Sequence, residues 1–329
     1  MKYTHLTAEE RYQIDDLKRE GFSQISIAKK LCRSVSTVSR ELSRNEGERG
    51  WKPRQAHLKA SERLMTRGAN NVKRASTTAW DYAKKRLEEE QWSPEQIVGR
   101  LEYEGLETIS HETIYQRILA DKNAGGKLYS HLRCKKKRKK RYGSARSTRG
   151  TIPNRVDITQ RPVIVDSRKR VGDWEGDTII GSHQGGAVIA SMVERKSRYT
   201  CLSKAKNKTT TAVIDSINKQ MLPIADLVLT ITLDNGREFS HHKTLSKTLN
   251  SDVFFAKPYH SWERGLNENT NGLVRQYFPK KNSFDTITYH ELQRVVKKIN
   301  HRPRKCLGYK TPFEVFSRAC QKRGIALRI

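Results

Sequence analysis

The sequence predicts a multidomain chain, with all-α helix-turn-helix units in its N-terminal part and an α/β domain behind them. Three observations carry this. The first 121 residues hold short capped helical stretches, each with one apolar stripe. From about residue 161 the pattern becomes three consecutive strands and then alternating helix and strand. Between the two lies a stretch, 122–156, with thirteen Lys or Arg and no acid. Like charges at that density hold a chain extended unless a polyanion neutralises them.

Residues 1–48 open on Thr7-Ala8-Glu9-Glu10, a capping box whose helix runs to about Glu20, where Gly21 supplies the stop. Two helices follow, over 23–31 and 34–44. Their apolar residues, Ile27 and Leu31 in one and Val35, Val38 and Leu42 in the other, give each a single buried stripe. The last helix then exposes Ser34, Ser36, Thr37, Ser39, Arg40 and Arg44. Small hydroxyls and arginines on a helix behind a short turn suit DNA phosphates and base edges better than a generic solvated face.

Residues 49–91 are helical in composition and read as a connector. Lys59, Arg63, Arg67, Lys73 and Arg74 there fit contact with DNA and a soluble surface equally well. Residues 92–121 repeat the opening theme. Ser93 is a natural N-cap, Pro94 fits the first helical position, and Ile97 and Leu101 repeat the spacing of Ile27 and Leu31. A second capped helix starts at Ser110 with Ile114, Ile118 and Leu119 inside and His111, Glu112, Tyr115, Gln116 and Arg117 outside. This is a second helix-turn-helix, with His111, Tyr115, Gln116 and Arg117 as its DNA contacts. A hairpin that merely packs is the alternative, since Glu102, Glu104, Glu107 and Glu112 weaken the field.

Residues 122–160 read as an interdomain linker that orders on DNA, its densest run being Lys135, Lys136, Lys137, Arg138, Lys139, Lys140 and Arg141. Affinity carried by such contacts falls with salt at a slope of about −0.9 per phosphate neutralised. The domain 161–329 then reads as strands 174–180, 187–194 and 199–204, helix 209–222, strand 227–234, helix 243–250, strand 253–256 and further helix. Gln184-Gly185-Gly186 makes the first hairpin turn. That order is the one expected of a ribonuclease H-like α/β fold, in which the first and fourth strands are neighbours. Capping boxes at Thr288 and Thr311 open two C-terminal helices, with Leu292, Val295, Val296 and Ile299 forming the apolar stripe of the first. Arg302, Arg304, Lys305 and Lys310 between them suit a grip on DNA or a solvated loop.

An apolar strand that runs into Asp234-Asn235-Gly236 delivers a carboxylate to a sheet edge. An ionised Asp there calls for a cation, and a divalent metal serves where other acids converge. Asp173, Glu175 and Asp177 alternate along the first strand and share one face. Asp177 is the deepest in the strand and is the one selected. A later polar, helical stretch carries Glu263 and Glu268, the second of which follows Asp234 after 33 intervening residues. Asn271, Gly272 and Arg275 share the helical face of Glu268, and Arg275 is placed there to hold a phosphate.

The three blocks Trp174-Glu175-Gly176-Asp177-Thr178, Asp234-Asn235-Gly236-Arg237-Glu238-Phe239 and Trp262-Glu263-Arg264-Gly265-Leu266-Asn267-Glu268-Asn269 resemble the catalytic core of the DDE transposases of the insertion sequence 30 family. The resemblance extends to Arg302-Pro303-Arg304-Lys305 and to both ends of the chain. It implies that Asp177, Asp234 and Glu268 are the catalytic and metal-binding residues. It implies two Mg²⁺ ions per active site, with Mn²⁺ able to substitute, and metal-dependent DNA strand cleavage followed by strand transfer. It further implies recognition of terminal inverted repeats by the N-terminal part, action on target DNA, and a homodimer or higher homo-oligomer on DNA.

Charge agrees with that expectation. With 65 Lys and Arg against 35 Asp and Glu, a formal net charge of +30 implies a polyanionic partner. No apolar run approaches a membrane span and the first 20 residues are polar, so a cytoplasmic protein without a membrane partner is expected, and the resemblance implies a prokaryotic, nucleoid-associated one. Cys32, Cys134, Cys201, Cys306 and Cys320 are too scattered for a disulfide framework or zinc ribbon. Two rival readings remain: a DNA-binding regulator with a catalytically silent ribonuclease H-like domain, and a retroviral-type integrase. The second usually carries an N-terminal zinc module, whereas only His5 and Cys32 precede residue 50 here.

Overall fold

The computed structural model describes residues 5–48, 50–73, 76–133, 152–182, 186–257 and 265–325, with the backbone alone for 67–73. Lys135–Arg141, Arg74, Gln184-Gly185 and Glu263 therefore lie outside the described residues. The chain divides into two compact units, Met1–Ala75 and Ser76–Ile329.

In the first unit α1 (Ala8–Arg19) is opened by the predicted capping box at Thr7, and Gly21 ends it with φ +85°. Helices α2 (Gln24–Lys30) and α3 (Val35–Arg44) are capped by the Ser23 and Ser34 hydroxyls, and α4 (Pro53–Lys73) closes the unit. Ile14, Ile27, Ala28, Val38, Trp51 and Ala56 form the core. Val35, expected inside, is 43% exposed in the first turn of α3. A buried ion pair also joins α1 to α3, with Arg11 Nε 2.7 Å from Glu41 Oε1 and Nη1 donating to the Leu6 carbonyl at 2.6 Å.

The second unit begins with α5 (Thr77–Glu90), α6 (Pro94–Tyr103) and α7 (His111–Asn123). The region predicted as one connector over 49–91 is thus two helices, one in each unit. The described residues of the predicted basic linker over 122–160, which are 122–133 and 152–160, are packed. Asp121 accepts the Leu128 N–H at 3.0 Å and Leu128 is buried. At the other end Ile152 enters the core and the Phe255 N–H donates to the Val156 carbonyl at 2.8 Å. Apolar side chains can be buried there whatever the charge of their neighbours.

After α8 (Ile164–Ser167) come β1 (Asp173–Ile180), β2 (Val188–Glu194) and β3 (Thr200–Ala205), α9 (Thr210–Met221), β4 (Thr230–Leu233), α10 (His242–Leu249) and β5 (Asp252–Phe255). Helices α11 (Gly265–Tyr277), α12 (Tyr289–Asn300) and α13 (Pro312–Lys322) end the chain. The sheet order is β3-β2-β1-β4-β5, with β1–β2 and β2–β3 antiparallel and β1–β4 and β4–β5 parallel. This is the ribonuclease H-like arrangement. The fourth strand starts three residues later than its apolar run, because Pro223 and its neighbours form a short 3₁₀ turn over Leu222–Leu227.

Both faces of the sheet are covered, which is why every residue of β2 is buried. Trp174, Val188, Ala190, Met192, Ile231 and Leu233 pack in one cluster with α9 and α10. Ile179, Ile189 and Leu202 pack in another with α11 and α12. Trp174 is fully buried, donates its indole N–H to the Leu227 carbonyl at 2.8 Å, and meets Phe316 of α13 edge-on at 5.7 Å. Such an aromatic pair is worth about 0.5–1.5 kcal/mol beyond its buried area.

Helix α6 is tied to the C-terminal elements of its unit. Arg100 grips Glu314 with two hydrogen bonds, 2.9 and 2.7 Å, and Lys305 reaches Glu95 at 2.7 Å. Gly99 is where α6 meets the loop before α13, since a Cβ there would stand 2.2 Å from the Tyr309 ring. Gly99→Ala is expected to lower stability by about 1–3 kcal/mol through overpacking, read as a fall in the melting temperature of the full chain.

Candidate active site

The side-chain alternation of β1 and β4 builds one row of polar groups. Trp174 and Gly176 point to the α9 side, so Asp173, Glu175 and Asp177 point to the α11 side. On β4 the residues on that side are Thr230, Thr232 and Asp234. The register pairs Asp173 with Thr230 and Glu175 with Thr232. Continued by two residues, it sets Asp177 level with Asp234. A parallel pair of strands has therefore brought together two carboxylates 57 residues apart in the chain.

The lower rungs are closed by cations. Asp173 is fully buried, takes Arg170 at 2.8 and 2.9 Å, and accepts the Thr230 hydroxyl at 2.8 Å. Glu175 takes Arg195 at 2.9 Å and the Asn267 N–H at 3.3 Å. Arg161 donates to the Thr232 hydroxyl at 2.9 Å. Burial lowers the Arg195 guanidinium below its ordinary pKa despite the opposing pull of Glu175. These groups form an ionic base under the upper rung.

Asp177 and Asp234 are half-buried at the open end. Asp177 accepts the Thr178 N–H at 2.8 Å and the Asn271 side-chain amide at 2.7 Å. Asn271 in turn accepts the Ser191 hydroxyl at 3.0 Å, so it locks α11 onto β1 and β2. Asp234 accepts the Gly236 N–H at 2.9 Å, within the Asn-Gly turn. A Cβ on Gly236 would lie 2.9 Å from the Asp234 carboxylate and 2.6 Å from that of Glu238, so a larger residue there would displace both acids.

Glu268 is exposed on α11, one turn before Asn271. The helix thus presents it on the face that touches Asp177. Among the described residues, however, no three His, Cys, Asp or Glu side chains are close enough to hold a metal as they stand. Arg275 shares that helical face but turns inward, donating to the Ile180 carbonyl at 2.6 Å, and burial lowers its pKa.

Sequence reasoning missed the role of Glu238. It is buried, accepts the Thr178 hydroxyl at 2.7 Å and pairs with Lys208 at 3.1 Å, so it ties the Asn-Gly turn to β1 beside Asp177. Its place in Asn235-Gly236-Arg237-Glu238-Phe239 was the available signal.

On α3, Ser34, Ser36, Ser39, Arg40 and Arg44 are exposed and Thr37 is half-buried. The Ser34 hydroxyl also caps the helix, at 3.2 Å from the Thr37 N. Arg40, Arg44 and Arg63 line a groove of about 510 Å³ beside α3. On α7, His111, Tyr115 and Gln116 are exposed. Leu119, expected inside, is 57% exposed. Arg117, expected outside, is half-buried with its guanidinium 4.9 Å from the Trp80 ring centre on α5. A cation held over an indole face gains more there than in water. In the C-terminal set Arg302 is buried and donates to the Tyr277 hydroxyl at 3.0 Å.

A helix-turn-helix domain model matches residues 2–45. The transposase for insertion sequence element IS4351 of Bacteroides fragilis is 40% identical to this chain, over 98% of each. The transposase InsI for insertion sequence element IS30A of Escherichia coli (strain K12) is 36% identical, over 98% of this chain and 85% of that protein. The transposase for insertion sequence element IS1086 of Cupriavidus metallidurans is 35% identical, over 96% of this chain and 95% of that protein.

Proposed function

The chain belongs to the insertion sequence 30 family of transposases, and from that membership we propose which of its residues cut and join DNA. It is a DNA-cutting and joining enzyme that binds DNA through its helix-turn-helix. In our reading Asp177 and Asp234 form the fixed half of the active site and Glu268 the half brought in by α11. The observation that carries this is the shared rung of Asp177 and Asp234, held by Asn271 to the helix that bears Glu268.

The donors fit a hard divalent cation, being carboxylate oxygens at the partly open end of a row whose inner acids already have arginine partners. Asp177, Asp234 and Glu268 would hold Mg²⁺, or Mn²⁺ in its place. Two such ions, when bound, activate the attacking oxygen and stabilise the leaving oxygen of a phosphodiester. The chain supplies the rest. The Asn-Gly turn and the Asn271 bridge fix the two sheet carboxylates before DNA arrives, so little reorganisation is left for the transition state. Glu268, exposed on its helix, is the acid free to turn toward them. No side chain here needs to act as a covalent nucleophile, since water and then a DNA 3′-hydroxyl can attack in turn.

Exposed α3 presents Ser36, Ser39, Arg40 and Arg44 to the terminal inverted repeats, and α7 adds His111, Tyr115 and Gln116. Arg117 is better suited to holding α7 in place than to touching DNA. Two element ends must be cut and moved together, which favours a homodimer or larger assembly on DNA. No described helix is long and apolar enough to cross a membrane.

The test is cleavage of end-labelled duplexes carrying the DNA that flanks the gene. Cutting at a defined phosphate should require Mg²⁺ or Mn²⁺ and stop on chelation. Glu268→Gln should abolish it and Glu263→Gln should leave it. Loss with Glu263→Gln instead would move the third acid. Specific binding without cutting under any metal would overturn the assignment of Asp177, Asp234 and Glu268.

A further inference from the structure

A cavity of about 240 Å³ lies against the first described turns of α11, lined by Arg168, Arg198, Arg304, Cys306, Gly265 and Asn269. Three guanidiniums face one small space, and no ion pair joins them to a carboxylate among the described residues. The Nε atoms of Arg198 and Arg304 are buried without a hydrogen-bond partner. Arg304 donates from Nη2 to the Ile299 carbonyl, a long contact of 3.4 Å. A fourth arginine stands beside them, with Arg133 Nη2 3.4 Å from Asn269 Oδ1.

Left alone, this arrangement is unfavourable. Burial, with repulsion from Arg302, Arg133 and Arg198, pushes the Arg304 guanidinium down to about 10. Burial and then Arg198 and Arg195 also lower Arg168, with Glu175 opposing. Arg168 and Arg198 are moreover held at φ +52° and +65°. That left-handed backbone is strained for a residue with a Cβ. Guanidinium forks around one cavity, those of Arg198 and Arg304 half-buried and that of Arg168 exposed, with no carboxylate partner among the described residues, are arranged for an oxyanion that would accept several charge-assisted hydrogen bonds at once.

We propose that this arginine-lined cavity is a phosphate pocket that seats one backbone phosphate of a DNA strand on the flank of α11, the helix that carries Glu268. The proposal rests on the transposase reading and adds a site to it. A phosphate seated there neutralises the cluster, relieves the repulsion and fixes the strand relative to the helix. It is separate in the sequence from the basic run at residues 135–141.

The experiment uses the full chain and a duplex carrying the element end, with binding measured between about 50 and 200 mM salt. Arg198→Gln and Arg168→Gln should each weaken binding and reduce the salt slope by about 1, the loss of one phosphate contact. A second measurement follows melting temperature with added inorganic phosphate at matched ionic strength. Phosphate should raise it for the wild type and less for Arg198→Gln. Both variants folding with the wild-type slope would overturn the proposal, and so would a phosphate-dependent rise in melting temperature with no change in slope, which would mark a free-phosphate site. Wild-type protein that cuts DNA with unchanged variant slopes loses only the pocket. Wild-type protein that neither binds nor cuts element ends loses the transposase reading itself.

Discussion

Asp234→Asn is expected to abolish strand cutting and joining, by at least about a thousandfold, while leaving the melting temperature and end binding within error of the wild type. That factor corresponds to about 4 kcal/mol of lost transition-state stabilisation. The substitution keeps the shape of the side chain and its acceptor for the Gly236 N–H, so the Asn-Gly turn survives. What it removes is a negative charge at the open rung shared with Asp177. Asp177→Asn should behave alike, and the double variant should be scarcely worse than either alone, because the two act as one site. Single-turnover cleavage of labelled duplexes checks this. Residual activity within tenfold of wild type for both single variants would move the chemistry elsewhere.

Arg195→Ala should be the most damaging change away from the chemistry, costing about 3–5 kcal/mol. The reason lies under the active site. Arg195 and Glu175 are both almost wholly buried, 4% and 1% exposed, and 2.9 Å apart. Arg195 also reaches Asp166 at 3.4 Å. Removing the guanidinium strands a buried carboxylate, and that penalty exceeds the net worth of the pair. Adding Glu175→Gln should therefore recover part of the lost stability, which two urea titrations compared with the wild type will show. If Arg195→Ala costs under about 1 kcal/mol, the lower rungs are not the ionic base that holds the upper one.

Much of this was legible from the chain. The caps at Thr7, Ser93, Thr288 and Thr311 announced their helices because a capping box is a local device, completed within four residues. The sheet order followed from three strands in succession and then alternation with helices, since short connections leave few topologies. Asp177 was selected for its position along the strand, whereas the structure buries Asp173 and Glu175 and leaves Asp177 half-buried, and helical period alone sets Glu268 and Asn271 on one face.

Other features were not legible, for reasons of distance. Nothing local tells that Arg117 covers Trp80 or that Arg11 meets Glu41, 30 residues away. Arg275 was aimed at phosphate by its helical face, yet the carbonyl it found belongs to Ile180, 95 residues earlier. Basic residues look alike in a sequence whether they are solvated, buried or paired. The set Arg302, Arg304 and Lys305 is an example: Arg302 is buried under α11, Arg304 lines a cavity, and Lys305 pairs with Glu95.

Local chemistry in the chain was therefore sufficient for the elements and their order, because caps, periods and turns act over a few residues, while the family came from the resemblance of three sequence blocks. The pairing of Asp177 with Asp234, the arginines beneath them and the cavity beside α11 came from packing. Each depends on which face of one element meets which face of another, and that is decided when the sheet and its two helical layers close on a common core.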